Sequence, residues 1–367
     1  MLNEHDYRFM EEALRLAGQG VYTTMPNPRV GCVIVKEGVV VGRGAHLRAG
    51  EPHAEIHALR EAGTKAQGAD VYVTLEPCCH FGRTPPCSDA LVSAGVKRVF
   101  VAMQDPNTKV AGNGLAKLRD HGIEVQCGIL EYEARSLNPG FTSRMTRGLP
   151  YVRTKIAASL DGRTALANGV SQWITGDDAR ADVQHWRARS CAILTGIGTV
   201  LSDDPQMNVR RPDLVELKDG RQPLRIVVDS RLQIPLDAKI LKEANTLVAY
   251  VHDERKKAEE LQAVGVKAVQ FAGIAGRVDL AQLLHHLTKL EVNEVLVEAG
   301  EILNGALQQA DLIDEYLFYF APVLMGGASR GMFALPLITE MAQRVDLDIY
   351  GVDRFGQDIR VQATRRR

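Results

Sequence analysis

The sequence predicts an α/β protein of two units, and three observations carry that expectation. Apolar, β-branched runs at 71–75, 98–103, 192–195 and 292–297 alternate with stretches of helical composition, the pattern of sheets flanked by helices. The 367 residues give length for two or three domains, with 45% apolar and 24% charged residues, an ordinary globular balance. Gly148 to Pro150 then interrupts the pattern before a new strand at Tyr151, which sets the units at 1–147 and 148–367.

The first unit opens with Tyr7, Met10, Leu14 and Ala17 at helical spacing over 5–18. Strands at 32–36 and 39–42 flank Glu37-Gly38, a hairpin turn. Asn27, between Pro26 and Pro28, reads either as a turn residue or as a polar group offered to a ligand. Pro52 starts a helix over 53–62. A buried strand at 71–75, a helix at 90–94 and a strand at 98–103 follow. A helix at 115–121 ends at Gly122, before an edge strand at 125–129. The loop Asp105-Pro106-Asn107 lies just past a strand, where substrates commonly bind. Residues 131–148 form a polar, helical connector.

The second unit begins with a strand at 151–156, helical composition from Asp177 and a strand at 192–195. That strand enters Gly196-Ile197-Gly198, which lacks the third glycine of a dinucleotide fingerprint. A stronger cofactor signal follows the strand at 292–297. There Gly300 opens a helix, which presents free N–H groups and a positive dipole end to a phosphate. Glu298, at the strand's end, reaches into a site. Glu301 favours the helix start but repels a phosphate unless it turns to solvent. The final Arg365-Arg366-Arg367 reads as a solvated tail.

Charge narrows the function classes. Lys and Arg number 44 against 45 acidic residues, a net charge of −1, which argues against a broad footprint for nucleic acid or anionic membrane. No stretch approaches the roughly 20 apolar residues of a membrane span, and the N-terminus has no basic-then-apolar signal pattern. A cytoplasmic protein is expected. Six cysteines then mean metal or catalysis rather than disulfides.

The chemistry concentrates between Glu51 and Cys87. His53 offers an imidazole, Cys78 and Cys87 offer thiolates, and Glu55 lies two residues past the histidine. Three protein ligands on Zn²⁺ leave a fourth position for water, whose pKa the metal lowers to about 7. Glu55 is then left to move protons. A closed structural site would recruit His57, Cys79 or His80, and would leave Glu55 and Glu76-Pro77 without a role. His-x-Glu followed by Pro-Cys is the mark of zinc deaminases acting on amino-bearing rings.

Most such enzymes space their cysteines within one helical turn, whereas eight residues separate Cys78 from Cys87 here. The insertion Cys-His-Phe-Gly-Arg-Thr-Pro-Pro resembles one family, the riboflavin-pathway pyrimidine deaminases, which carry a fused reductase. Within it His80, Arg83 and Thr84 read equally as phosphate ligands or solvated loop residues. The segments KIAASLDGRTA (155–165), SQWIT (171–175), TVLSDDP (199–205), VVDS (227–230) and VEAG (297–300) resemble that reductase half, in matching order.

The resemblance implies a cytidine-deaminase-like three-layer α/β/α domain followed by a dihydrofolate-reductase-like α/β domain. It implies Zn²⁺ on His53, Cys78 and Cys87, with Glu55 catalytic and Asn27 against substrate. It also implies NADPH on Ala157, Trp173, Thr199, Asp203, Ser230 and the turn Gly300, Ile302, Leu303, Asn304, Gly305 and Ala306. Ser171, Arg187, Met207, Arg210 and Glu298 would meet substrate, and Asp203 would lie near the nicotinamide. Arg187 reads otherwise as a helix-surface charge, Lys155 and Asp161 are polar groups at a sheet end, and Lys155 and Asp203 are the expected catalytic residues of this half. The implied activity is deamination of a 2,5-diamino-6-(5-phosphoribosylamino)pyrimidin-4-one, then reduction of its ribosyl group to a ribityl chain. A homo-oligomer, dimer or tetramer, is implied as well. Two other readings compete with this one: a nucleic-acid base deaminase with a C-terminal grip, and a single-activity protein whose other half is scaffold. The charge balance and only 5% aromatic residues oppose the first, and intact motifs in both halves oppose the second.

Overall fold

The computed structural model describes residues 3–79, 85–108 and 110–366. The chain divides into two units, Met1–Gly148 and Leu149–Arg367.

The first unit is a five-stranded sheet between two helical layers. Its strands are β1 (Gly31–Lys36), β2 (Val39–Ala45), β3 (Asp70–Leu75), β4 (Arg98–Met103) and β5 (Glu124–Cys127), in the order β2-β1-β3-β4-β5. β1 pairs antiparallel with β2 and β3, while β3, β4 and β5 run parallel. Helices α1 (Glu4–Gly18) and α5 (Glu131–Leu137) touch on one face. On the other, α2 (Ala54–Ala62) meets α3 (Cys87–Ser93), which meets α4 (Asn113–Asp120). The helix α6 (Pro139–Arg147) ends the unit.

Local chemistry explains these elements. Asn3 caps α1 by accepting from the His5 and Asp6 N–H groups, and Asp6 returns a bond to the Asn3 N–H, a reciprocal cap. The outermost strand β2 carries Gly42 and Gly44 where α2 lies on the sheet. A Cβ at Gly42 would stand 2.2 Å from the Ala58 carbonyl, and one at Gly44 1.9 Å from that of Ala54. Only glycine admits α2 this close, and α2 carries the histidine of the metal motif at its head. The core between the layers is aliphatic, with Cys32, Ile34, Val71, Val73, Val99 and Val101 buried along the strands.

The second unit is built on nine strands. They are β6 (Tyr151–Ser159), β7 (Ala192–Gly196), β8 (Leu224–Val228), β9 (Thr246–Tyr250), β10 (Lys267–Gln270), β13 (Glu294–Val297), β14 (Glu315–Ala321), β15 (Leu347–Phe355) and β16 (Asp358–Arg365), with β11 (Gly273–Ile274) and β12 (Arg277–Val278) as a separate small hairpin. The order is β10-β9-β8-β7-β13-β6-β14-β16-β15, parallel from β10 to β14, with an antiparallel hairpin at the end. The helices are α7 (Asp177–Arg189), α8 (Ile197–Asp203), α9 (Pro212–Leu217), α10 (Lys257–Ala263), α11 (Leu280–Lys289) and α12 (Glu301–Gln309). Apolar clusters cover the sheet on both faces, one under α11 and α12 and others under α7 and α10. A nearly sealed charge set, Arg153 with Glu294 (3.0 Å) and Glu315 (2.9 Å), lies beneath Trp186.

Several boundaries differ from the sequence expectation for physical reasons. The helix expected at 90–94 starts at Cys87, because Pro86 already holds an extended backbone and serves as its cap. The strand from Tyr151 runs to Ser159, three residues further than its apolar run, because β14 pairs with it from Arg153 through Ser159. The connector at 131–148 is two helices, restarted by Pro139 at the first helical position. Arg365 and Arg366 are not a free tail: β16 pairs with β15 up to Arg365, which bonds Asp311, and Arg366 meets Asp348 at 2.6 Å.

Candidate active sites

In the first unit three donor groups converge from three elements. His53 is the residue before α2, Cys78 follows β3, and Cys87 is the first residue of α3. Their donor atoms all lie within 4.8 Å of one another. His53 Nδ1 is 3.2 Å from Cys87 Sγ and 3.6 Å from Cys78 Sγ, and the Cys87 N–H points at Cys78 Sγ (3.3 Å). Among the described residues no fourth His, Cys, Asp or Glu joins this group, so His57 and Cys79 stand outside it. His80, Arg83 and Thr84 lie outside the described residues.

The electrostatics are those of a site that wants a cation. The Cys87 S–H and the His53 ring hold the Cys78 thiol down to about 4, against the cost of burial. The Cys78 thiolate, then burial, push Cys87 far up, and His53 is raised by its bond to Cys78. Without metal the cluster shares protons; a divalent ion would replace them. One imidazole and two sulfurs within bonding reach of a common point suit Zn²⁺, with one coordination position left open.

Glu55, on the first turn of α2, is buried, and its Oε2 has no hydrogen-bond partner among the described residues. Burial and then the Cys78 thiolate push its pKa up to about 7. A buried carboxylate that bonds Cys87 and keeps one oxygen without a partner suits a proton carrier at this cluster. Asn27 Nδ2 lies 3.1 Å from His46 Nε2, and His46 Nδ1 lies 3.2 Å from the Pro52 carbonyl. His46 also stacks edge-on with His53 at 5.3 Å. Sequence reasoning missed His46. Its one signal was a histidine at the end of β2, seven residues before the metal histidine.

In the second unit the expected site residues gather at one edge of the sheet. Ala157 lies near the end of β6, Thr199 in α8 after β7, Ser230 just past β8, and Glu298 and Gly300 just past β13. These four strands are neighbours, and chain direction across the sheet reverses around β13, the place where open parallel sheets bind ligands. Lys155, Arg187, Met207, Arg210 and Glu298 form one charged group there. Arg187 donates to Glu298 through Nε (2.5 Å) and Nη2 (2.9 Å), and to the Asn208 carbonyl (3.0 Å). Met207 Sδ is 3.9 Å from the same guanidinium, and Arg210 reaches the Asn208 side chain at 3.2 Å. Lys155 Nζ lies 5.9 Å over the Tyr319 ring, and burial lowers its pKa while Glu298 acts to raise it. Ser171 and Asp203 form a separate pair, with Oγ to Oδ1 at 3.0 Å.

The remaining expected residues occupy varied settings. Trp173 is exposed, with Arg180 stacked 4.7 Å from its ring, and Ser230 Oγ accepts the Val278 N–H. Gly300 caps α12 without a side-chain bond, and nothing lies within 4 Å of a Cβ built at Gly300 or Gly198. That open space in front of a helix start suits a phosphorylated cofactor. Gly300 and Ile302 are exposed, whereas Leu303 and Ala306 pack on the core. The Asn304 amide is bonded to Thr154, Ala299 and Met332, and Gly305 lies against the Ala334 backbone. The Glu301 carboxylate does not turn to solvent: it accepts the Gly331 N–H at 3.0 Å. Asp161 accepts from the Met325 and Gly326 N–H groups, so it joins the 155–165 segment to the loop after β14.

Comparison with known proteins decides the family. Residues 150–361 match the family model described as the RibD C-terminal domain, and residues 3–103 match the cytidine and deoxycytidylate deaminase zinc-binding region. The riboflavin biosynthesis protein RibD of Escherichia coli K12 is 48% identical over 96% of this chain and 98% of its own length. The chain belongs to the RibD family. The Haemophilus influenzae member is 45% identical over 99% of this chain and 98% of its own. The solved structure of Acinetobacter baumannii RibD (form 1) superposes with a TM-score of 0.92 at 47% identity, covering 99% of both chains. A Thermotoga maritima protein titled diaminohydroxyphosphoribosylaminopyrimidine deaminase/5-amino-6-(5-phosphoribosylamino)uracil reductase gives 0.85 at 31% identity, over 98% of this chain and 99% of its own. As a RibD family member the chain is a bifunctional deaminase and reductase of riboflavin biosynthesis, with zinc and NADPH as its cofactors. Among the described residues no helix is long and apolar enough to cross a membrane.

Proposed function

We propose that residues 1–147 deaminate a 2,5-diamino-6-(5-phosphoribosylamino)pyrimidin-4-one and that residues 148–367 reduce the product's ribosyl group to a ribityl chain. The observation that carries the first half is the His53–Cys78–Cys87 cluster with the partnerless Glu55 Oε2 beside it. The second half rests on the charged group around Glu298 at the carboxyl edge of the parallel sheet.

In the deaminase unit His53, Cys78 and Cys87 would hold zinc, which when bound supplies a water acidified to near neutrality and a Lewis acid. Deamination turns a C–NH₂ beside a ring nitrogen into a carbonyl beside a ring N–H, so both protons of the attacking water must move, one to the ring nitrogen and one to the departing NH₂, which leaves as ammonia. Glu55 Oε2 carries both in turn: it takes the first proton and passes it to the ring nitrogen, then takes the second from the new hydroxyl and passes it to the amino group as the C–N bond breaks. A carboxyl pushed up to about 7 is matched to that two-way traffic at neutral pH. Asn27, its amide N–H directed to His46, keeps its oxygen for the pyrimidine's own N–H groups.

In the reductase unit the open helix start at Gly300 would hold NADPH, which when bound would supply hydride for reduction of the substrate's ring-opened imine at C1′. The substrate phosphate is taken by Arg210, because Arg187 is already committed on two sides to Glu298 and on a third to Asn208. Arg187 then fixes Glu298, and Glu298 with Lys155 faces the reacting carbon, Lys155 holding the proton that neutralises the new amine. Ser171 and Asp203 hold the sugar and the nicotinamide side. The chain works in the cytoplasm, a setting that keeps its six cysteines reduced. It assembles as a homo-oligomer through the end hairpin, where Ile349, Tyr350 and Val352 are more than half exposed.

Mass analysis of products made from the diaminopyrimidine phosphoribosyl substrate, with and without NADPH, tests this. A rise of about 1 Da without the cofactor and a further rise of about 2 Da only with it is expected. Deamination without the second step would remove the reductase assignment. No change with zinc bound would make the substrate wrong.

A further inference from the structure

Glu76 is a buried acid of the deaminase unit, next to the metal motif, that the mechanism leaves without a task. It ends the run after β3, two residues before Cys78, and its N–H is tied to the Met103 carbonyl at the end of β4 (3.0 Å). Its carboxylate accepts four backbone N–H groups from a segment far along the chain. Oε2 takes those of Asp105 (3.1 Å) and Gly112 (3.0 Å), and Oε1 those of Gly114 (2.9 Å) and Leu115 (3.4 Å). A charged acceptor satisfying four donors at a helix start is a strong and directional clamp.

The clamp presses on one peptide. A Cβ built at Gly114 would stand 2.1 Å from the Pro77 carbonyl and 3.1 Å from Glu76 Oε1, so the head of α4 sits directly against the residue before Cys78. The Cys78 backbone is held on its other side as well: its carbonyl accepts the Ser88 N–H (3.1 Å), and its sulfur accepts the Cys87 N–H. Pro77 has no N–H and a fixed φ, so little in the chain between Glu76 and Cys78 absorbs a displacement of that carboxylate.

We propose that Glu76 is a positioning residue for the metal site: by clamping residues 105–115 onto the Pro77 peptide it sets the direction from which Cys78 presents its sulfur. Groups that orient a ligand from outside the coordination sphere commonly govern metal affinity about 10- to 100-fold. This inference rests on the zinc reading of His53, Cys78 and Cys87 given above.

The test uses the full-length protein and reads metal binding rather than turnover. Glu76→Gln replaces one acceptor oxygen by an NH₂ that must face two of the N–H donors. Zinc competition against a chromophoric chelator should show affinity about 10- to 100-fold weaker than the parent chain. Cobalt(II) loaded into the same variant should show an altered thiolate-to-metal band, while reduction of pre-deaminated substrate stays at the parent rate. Unchanged zinc affinity and an unchanged cobalt spectrum, even with lower thermal stability, would make Glu76 a plain stabiliser and overturn the proposal. Where Glu76→Gln does not yield folded protein, Gly114→Ala decides the matter. It keeps the carboxylate but forces the helix head off Pro77, and must weaken zinc binding for the proposal to stand. A parent chain that binds no zinc would instead overturn the metal site itself, and this inference with it.

Discussion

Arg187 and Glu298 form a two-point ion pair, Nε to Oε1 at 2.5 Å and Nη2 to Oε2 at 2.9 Å, with each residue only 8% exposed. Arg210 beside them is exposed and shares only Asn208 with Arg187. The two arginines therefore have different settings, although the family resemblance implies both alike as substrate contacts. Arg187→Ala leaves a buried carboxylate unpaired and should cost about 3–5 kcal/mol of stability. Arg210→Ala should leave the unfolding midpoint of the reductase unit nearly unchanged and raise KM for the phosphorylated substrate. Chemical denaturation beside steady-state reduction assays separates the two. Equal stability losses in both variants would contradict the assignment.

The same pair makes a pH prediction. Burial acts to raise the Glu298 pKa, but Arg187, then Lys155 and Arg210, outweigh it and hold the carboxyl below its ordinary value. A carboxyl lowered by folding adds stability above its unfolded pKa of about 4.3, and that contribution fades as pH falls through the folded value. The stability gap between the parent chain and Glu298→Gln should thus be constant at neutral pH and shrink on acidification below about 4.3. Urea midpoints across that range check it, and a gap that persists to the lowest pH would remove the ion pair as its cause.

Metal removal should divide the two activities. A chelator strong enough to strip His53, Cys78 and Cys87 is expected to abolish deamination and leave NADPH-dependent reduction of pre-deaminated substrate intact. Restoring zinc should restore the first activity. Parallel loss and recovery of both would mean that the two units do not work independently.

How much of this was legible in the sequence depended on whether a feature was local. The strand at 98–103 was read to the residue, because RVFVAM is an unbroken apolar run, and the zinc ligands carry their own spacing. The head of α3 at Cys87 was hidden by the two prolines before it, which read as loop. The hairpin β15–β16 was unreadable because it is half-exposed on both faces, so no alternation marks a buried side. His46 carries no motif of its own, and Glu76 stands in the motif without a legible task, for another reason: their partners, Asn27 with Pro52 and residues 105–115, meet them only after the sheet has formed. Within the turn expected to line the cofactor, 300–306, the sequence does not distinguish the residues that folding turns inward, Asn304 and Gly305, from those it leaves open, Gly300 and Ile302.

The central claim is that one chain carries two separate sites, with Glu55 the proton carrier of the first. Its most direct test is Glu55→Gln, which keeps the shape of the side chain and removes its basic oxygen, assayed on both the diamino substrate and the pre-deaminated one. The account predicts deamination reduced by about 10²- to 10⁴-fold, zinc still bound, and NADPH consumption on the pre-deaminated substrate at the parent rate. Deamination near the parent rate, or loss of both activities from a folded, zinc-loaded variant, would contradict it.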